Sequence, residues 1–250
     1  MAADYYTARY LLDKPAFRVY RWVPYCVSLG YHQKLEEIDT ELCKERGFDI
    51  VRRETGGRAV FHSEELTYSM IIPKESEFYS DSILDVYNRI SNVLVKALQA
   101  SGIKDADLKK GKAPDFKELY KEKLSSVCFS STSTYEVVIG DKKLVGSAQK
   151  RLKESVLQHG SILVGDKHLE LINLLNIEER LKSRFTQITK SKTASVTDVI
   201  NIKDHETFYY DLKKELRKAL EDEFGENIEN YSFSEKDLLE INKIESYFNL

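Results

Sequence analysis

The apolar positions of this chain follow two different periods. Through residue 165 they fall mainly in short β-branched and aromatic runs, and beyond it mainly in stripes of helical spacing. "FRVYRWV" (17–23) reads as a strand, and "FDIVRR" (48–53) as a short strand feeding the Gly56-Gly57 pair. "LTYSMIIP" is a strand stopped by Pro73, and "SVLQHGSILV" one that ends at Gly165. "YEVVIGDKKLVGSAQKR" (135–151) carries two β-rich runs joined through Gly140-Asp141, the pattern of a hairpin. Between the strands, "QKLEEIDTELCKERG" (33–47) spaces Leu35, Ile38 and Leu42 as a helix does and ends at Gly47. "DSILDVYNRISNVLVKALQAS" (81–101) puts Ile83, Leu84, Tyr87, Ile90, Leu94 and Leu98 on one stripe, a helix that ends before Gly102. "LKKGKAPDFKELYKEK" (108–123) reads as a basic, polar connection. From His168 onward come "HLELINLL", "IEERLKSRF", a Ser/Thr-rich break near 190–197, and two further helical stretches. The last opens on a Ser-x-x-Asp capping pattern, Ser234 and Asp237.

These elements predict an α+β fold: mixed sheets flanked by helices over 1–165, with 166–250 as the mainly helical C-terminal part of the same domain. A length of 250 residues suits one large domain, and 42% apolar residues suffice for its core. The net charge of −3 offers no basic field of the kind nucleic-acid binding needs, so no nucleic-acid partner is expected. No run approaches 18 apolar residues and the N-terminal stretch lacks the apolar centre of a signal peptide. No membrane association is expected, and a cytoplasmic setting is the default. Cys26, Cys43 and Cys128 are too few and too unevenly spaced for a disulfide framework or a zinc site, so no metal is expected.

Candidate chemistry gathers at three places. "VRRETGGRAVFH" (51–62) sets arginines and His62 around Gly56-Gly57, where the backbone can approach a ligand closely and guanidinium groups suit a carboxylate, phosphate or carbonyl. Cys128 lies in "SSVCFSSTS", among short polar neighbours that suggest a loop edge. Most single cysteines are simply buried small residues, a description that fits Cys26 and Cys43 better than Cys128. Lys143 precedes the small, apolar "LVGSA" and is either a solvated hairpin lysine or a desolvated one able to act as a base. Alternation sends Lys142 and Lys143 to opposite faces, so only one of them can reach a pocket. His62 and His159 stand beside glycines without HxH or HExxH spacing, as structural hydrogen-bonding histidines usually do.

Taken in order, "WVPYCVSLGYHQ", "VRRETGGRAVFHSEELTYS", "YEVVIGDKKLVGSAQKR" and "VLQHGSIL" resemble the lipoate/biotin protein ligase superfamily. Within it the chain is most similar to the octanoyl-acyl-carrier-protein:protein N-octanoyltransferases of the LipM type. The likeness runs from Met1 to about Gly165. ATP-dependent lipoate–protein ligases carry Arg-Asn-Asp just ahead of the lysine hairpin, where this chain has "SSVCFSSTSTYEV" with Cys128.

The resemblance implies the biotin/lipoate ligase catalytic-domain fold and a Cys128–Lys143 dyad, with Cys128 as nucleophile and Lys143 as general acid/base. It implies transfer of an octanoyl group from octanoyl-acyl carrier protein to one lysine of a lipoyl domain, such as glycine cleavage H protein or a 2-oxoacid dehydrogenase E2, with no cofactor. It also places Arg53, Gly56, Gly57, Arg58 and His62 in a loop along the acyl site. Main-chain N–H groups near Gly146, Ser147 and Ala148, or near His159, Gly160 and Ser161, become candidates to hold an oxyanion. Two other readings stay open: an ATP-dependent lipoate–protein ligase, and a non-catalytic binder of acyl carrier protein or lipoyl domains.

Overall fold

The structure, a computed structural model, describes residues 1–11, 13–110, 135–225 and 228–250. Cys128 and most of the 108–123 connection therefore lie outside the described residues. Among the described residues nine strands form two sheets. They are β1 (Ala16–Tyr20), β2 (Cys26–Leu29), β3 (Asp49–Arg52), β4 (Val60–His62) and β5 (Glu65–Pro73), then β6 (Ala106–Lys110), β7 (Tyr135–Ile139), β8 (Lys142–Arg151) and β9 (Ser155–Leu163). The larger sheet runs β1-β5-β9-β8-β7-β6 and every neighbouring pair is antiparallel. The smaller sheet, β3-β2-β4, is the mixed one: β2 pairs parallel with β3 and antiparallel with β4. The helices are α1 (Ala2–Tyr10), α2 (Thr40–Glu45), α3 (Ile83–Ala100), α4 (Glu179–Lys192), α5 (His205–Phe224) and α6 (Glu235–Glu245).

Alternation divides the central strands into two faces. Leu66, Tyr68, Met70 and Ile72 of β5 pack with Ile90, Leu94 and Leu98 of α3 and with Leu212, Leu216 and Leu220 of α5 in one apolar core. Thr67 and Ser69 of β5, with their cross-strand partners Ser161 and His159 of β9, lie on the other face, turned away from α3 and α5. A second core joins Val27, Leu29 and Phe61 of the small sheet to Leu171, Leu174 and Phe185. No described helix is long and apolar enough to cross a membrane.

Several elements depart from the sequence reading. The helix expected over 33–47 is broken into a 3-10 turn (Leu35–Glu37) and α2, because Ile38 is drawn out as an extended bridge to Leu175. Asn176 fixes that bridge by donating Nδ2–H to the carbonyls of Glu36 and Ile38 at 3.0 and 2.9 Å. The polar connection begins as strand β6, an edge strand, where lysines are well tolerated. "HLELINLL" forms a 3-10 run (Lys167–Leu174), and α4 continues to Lys192, into the expected break. Ile83 and Leu84, placed on the buried stripe of α3, are exposed in its first turn. Helix α1 and the short strands β2 and β4 were not anticipated. The Ser234–Asp237 capping box forms as the sequence predicts.

Candidate active site

A cavity opens between the two sheets. β8 and β9 supply Gly146, Ser147, Ala148, His159, Gly160 and Ser161 to its wall, and the small sheet with its loop supplies Ser28, Arg53, Val60 and His62. Its own volume is about 30 Å³, it is partly open to solvent, and its walls are mostly apolar atoms. Eight of the sequence-predicted residues thus meet at one place: Arg53, His62, Gly146, Ser147, Ala148, His159, Gly160 and Ser161.

The loop between β3 and β4 is held by its own arginines. Arg53 donates from Nη1 to the Ser28 carbonyl at 2.8 Å, and from Nη2 to the carbonyls of Gly56 (3.0 Å) and Arg58 (2.7 Å). Arg52 likewise donates to the carbonyls of Gly30, Tyr31 and Gln33. These guanidinium groups brace main chain, a use that the anion-binding pattern of the sequence did not suggest. Arg58 is half-buried and contributes its carbonyl to the brace. Gly57 takes φ +93°, which favours glycine, while the close approach is made by a glycine outside the motif. A Cβ on Gly30 would stand 2.0 Å from the Gly57 carbonyl oxygen.

A buried polar chain runs through the cavity wall. His62 Nε2 meets Ser28 Oγ at 2.8 Å and His62 Nδ1 meets Glu65 Oε1 at 3.1 Å. A carboxylate can only accept, so Nδ1 carries the proton and, in the neutral ring, Nε2 accepts from the Ser28 hydroxyl. Thr67 and Ser161 each donate a hydroxyl to Glu65 at 2.7 Å, and Trp22 stacks on the His62 ring with centroids 4.7 Å apart. His62 is thereby locked in orientation from three sides. His159 is fully buried, with Nε2 2.6 Å from Thr55 Oγ1. Burial, then the nearby Arg53 guanidinium, push its pKa down to about 3, so the imidazole stays neutral at physiological pH. Burial works against the charged form of Asp4, but Arg18 and the Tyr20 hydroxyl outweigh it and hold the carboxyl below its usual range.

Lys143 is buried, with its ammonium 2.9 Å from Glu136 Oε1. The expected desolvation is present, but a carboxylate accompanies it that the sequence reading did not single out. Cys26 and Cys43 are fully buried, and burial raises both thiols, Cys43 to about 11, so neither supplies thiolate at neutral pH. Ser28, Thr55, Glu65, Trp22 and Glu136 were missed. All five lie inside the blocks that carry the resemblance, the one signal that could have found them: Trp22 and Ser28 in the first, Thr55 and Glu65 in the second, Glu136 in the third.

The lipoyl protein ligase A/B catalytic domain matches residues 1–221. This chain belongs to that family. It is 39% identical over 233 residues to octanoyltransferase LipM of Clostridioides difficile, covering 92% of this chain and 81% of that one. It is 35% identical over 240 residues to octanoyltransferase LipM of Staphylococcus epidermidis, covering 94% and 84%. Among solved structures, a bipartite lipoate protein ligase from Thermoplasma acidophilum superposes with a TM-score of 0.75 at 23% identity, covering 97% of this chain and 85% of that one. A lipoate-protein ligase A bound with ATP superposes at 0.73 and 22%, covering 97% and 87%. At those identities the structures establish the shared fold of the lipoyl ligase catalytic domain.

Proposed function

We propose that this protein transfers an octanoyl group from octanoyl-acyl carrier protein to a lysine of a lipoyl domain in the cytoplasm, through a thioester on Cys128, with Lys143 moving the proton. The observation that carries the reading is the 39% identity, over 92% of the chain, to an octanoyltransferase. The mostly apolar walls suit an acyl chain, and burying some six methylenes would contribute about 5 kcal/mol, at about 0.8 each.

A free thiol titrates near ~8.5, so at neutral pH Cys128 needs a partner to become thiolate. Lys143, as the amine, takes that proton, and the dyad stands as thiolate and ammonium. The thiolate attacks the donor carbonyl, the tetrahedral intermediate collapses with cleavage of the bond to the phosphopantetheine sulfur, and Lys143 protonates the departing thiolate. The resulting amine then deprotonates the acceptor lysine, whose nitrogen attacks the Cys128 thioester. Amide forms, thiolate is regenerated, and the second amine proton passes to solvent. Thioester exchange is nearly balanced and amide formation runs downhill, so no ATP is consumed. Arg53 and His62 act here as braces of the cavity wall, and β8 offers main-chain amides at Gly146, Ser147 and Ala148 near the acyl carbonyl.

The test is an assay with purified lipoyl domain, giving the enzyme either octanoyl-carrier protein alone or free lipoate with ATP and magnesium. Modification is expected in the first condition. Modification only in the second would make the chain a lipoate–protein ligase. None in either would make it a binding protein. Without acceptor, an octanoyl adduct should appear by intact mass on Cys128 and be released by neutral hydroxylamine. Cys128→Ser should fold yet lose transfer by at least about 10²-fold, since a hydroxyl is a far poorer nucleophile than a thiolate. An adduct on Cys26 or Cys43 would end the proposal.

A further inference from the structure

Lys143 reaches the cavity face because β8 carries one residue too many. Val137 pairs with Val145 and Val138 pairs with Lys143, so Leu144 is the extra residue of a β-bulge. Val137 and Val145 belong to the core shared with α3 and α5. In an unbulged strand Lys143, two residues before Val145, would point into that apolar layer. The bulge turns it instead to the side of Val138 and Glu136, the face that farther along β8 carries Gly146 and Ala148 opposite Ser161 and His159. There Glu136 Oε1 stands 2.9 Å from Nζ, with both side chains more than nine-tenths buried.

We infer that Glu136 is a positioning residue for acyl transfer: its carboxylate holds the Lys143 ammonium on the cavity face and supplies the counter-charge that keeps the proton there until the leaving thiolate takes it. The inference rests on the reading of Lys143 as the proton carrier. Burying one charge without the other is strongly unfavourable, so Glu136 accounts for a cation that is still buried after the bulge has turned it away from the apolar layer. A carboxylate this near favours the ammonium over the amine, which is the form needed to protonate a leaving group. The order of events follows. Lys143 enters the first half-reaction charged, leaves it as an amine beside the Glu136 carboxylate, and is driven to recover a proton from the acceptor lysine.

The other described elements beside Lys143 present histidines and lysines. Thr193, at the end of α4, bridges to Lys143 through the main chain and its hydroxyl meets His168 Nε2 at 2.9 Å. Burial lowers the pKa of His168, and His159 on β9 is held neutral. Lys142 and Lys192 are exposed.

The experiment follows acyl-enzyme formation by intact mass against pH in the full-length wild type, Glu136→Gln, Glu136→Asp and Lys143→Ala, with thermal unfolding as the check of folding. In the Gln variant the alkaline limb of the rate is expected to move down by about one pH unit or more. Its rate at pH 8 should fall about tenfold or more. The Asp variant, which keeps the charge on a shorter arm, should keep the limb in place with a lower plateau. Lys143→Ala should acylate poorly at every pH; if it acylates like the wild type, the reading of Lys143 itself has failed. If Lys143→Ala is impaired while Gln loses rate equally at all pH values, with the limb unmoved, Glu136 serves only the fold and the inference is overturned. Should the Gln variant not fold, the Asp variant decides: wild-type rates throughout would show that the reach of the carboxylate does not matter.

Discussion

His159 and His168 are both buried and both hold pKa values below the usual imidazole range, His159 near 3. In the unfolded chain each takes up a proton near pH ~6.5. As pH falls through that value the unfolded state therefore binds protons that the folded state refuses, and stability is lost. The loss from His159 continues until pH approaches 3. Asp4, with its carboxyl held below its usual range, contributes stability that is present above about pH 4 and is lost as pH falls from there toward its folded pKa, a lower window. Urea denaturation at pH 7.5, 6 and 4.5 should show declining stability, and His159→Gln should flatten the decline. An unchanged slope in that variant would mean that His159 is protonated in the folded state, contrary to its burial beside Arg53. The same substitution keeps a hydrogen-bonding partner for Thr55, so its effect reads charge rather than packing.

At the scale of elements, the β3–β4 loop is a backbone device whose critical contact lies outside its own glycine pair. Gly30→Ala would drive a Cβ against the Gly57 carbonyl, a backbone atom that cannot swing away, and should destabilise by about 1–3 kcal/mol. Gly56→Ala meets open space at an ordinary backbone angle and should cost far less. Equal losses in chemical denaturation would contradict the close approach. Gly160 is the matching case on β9, where a Cβ would lie 2.5 Å from the Gly146 carbonyl. These contacts were invisible in the sequence because they join residues distant along the chain. Elements with long apolar periodicity, α3, α5 and the β7–β8 hairpin, were legible. Strands β2 and β4, of four and three wholly buried residues, show no alternation to read. The bulge at Leu144 defeats the period-two rule itself: alternation correctly separates Lys142 from Lys143, yet cannot say which of them faces the cavity. Glu136 was overlooked for the same reason, since its meaning depends on which face Lys143 takes.

The molecule as a whole builds its cavity between two sheets that are stabilised from opposite directions. The large sheet leans on α3 and α5, and the small sheet on the segment from Leu171 to Phe185. Both supports draw on residues beyond 165, although every residue that lines the cavity comes from the first 161. Phe208, Tyr209, Leu212, Leu216, Ala219 and Leu220 of α5 are all buried in the core of the large sheet. Each large apolar side chain withdrawn from such a core forfeits about 1.5–3 kcal/mol, against a net stability of about 5–15 kcal/mol for a whole domain. A chain ending at residue 165 should therefore fail to fold, emerging insoluble or without a cooperative thermal transition, even though it keeps every proposed site residue. A milder version separates packing from chemistry. Leu212→Ala, at the centre of the α3–α5 contact, should lower stability by about 2–5 kcal/mol. Below its melting range the acyl-enzyme should still form at close to the wild-type rate, because α5 lies on the far side of the sheet from the cavity. A loss of acylation in folded Leu212→Ala would show that the helical layer reaches through the sheet to set the geometry of β8, and that the bulge carrying Lys143 is held from behind.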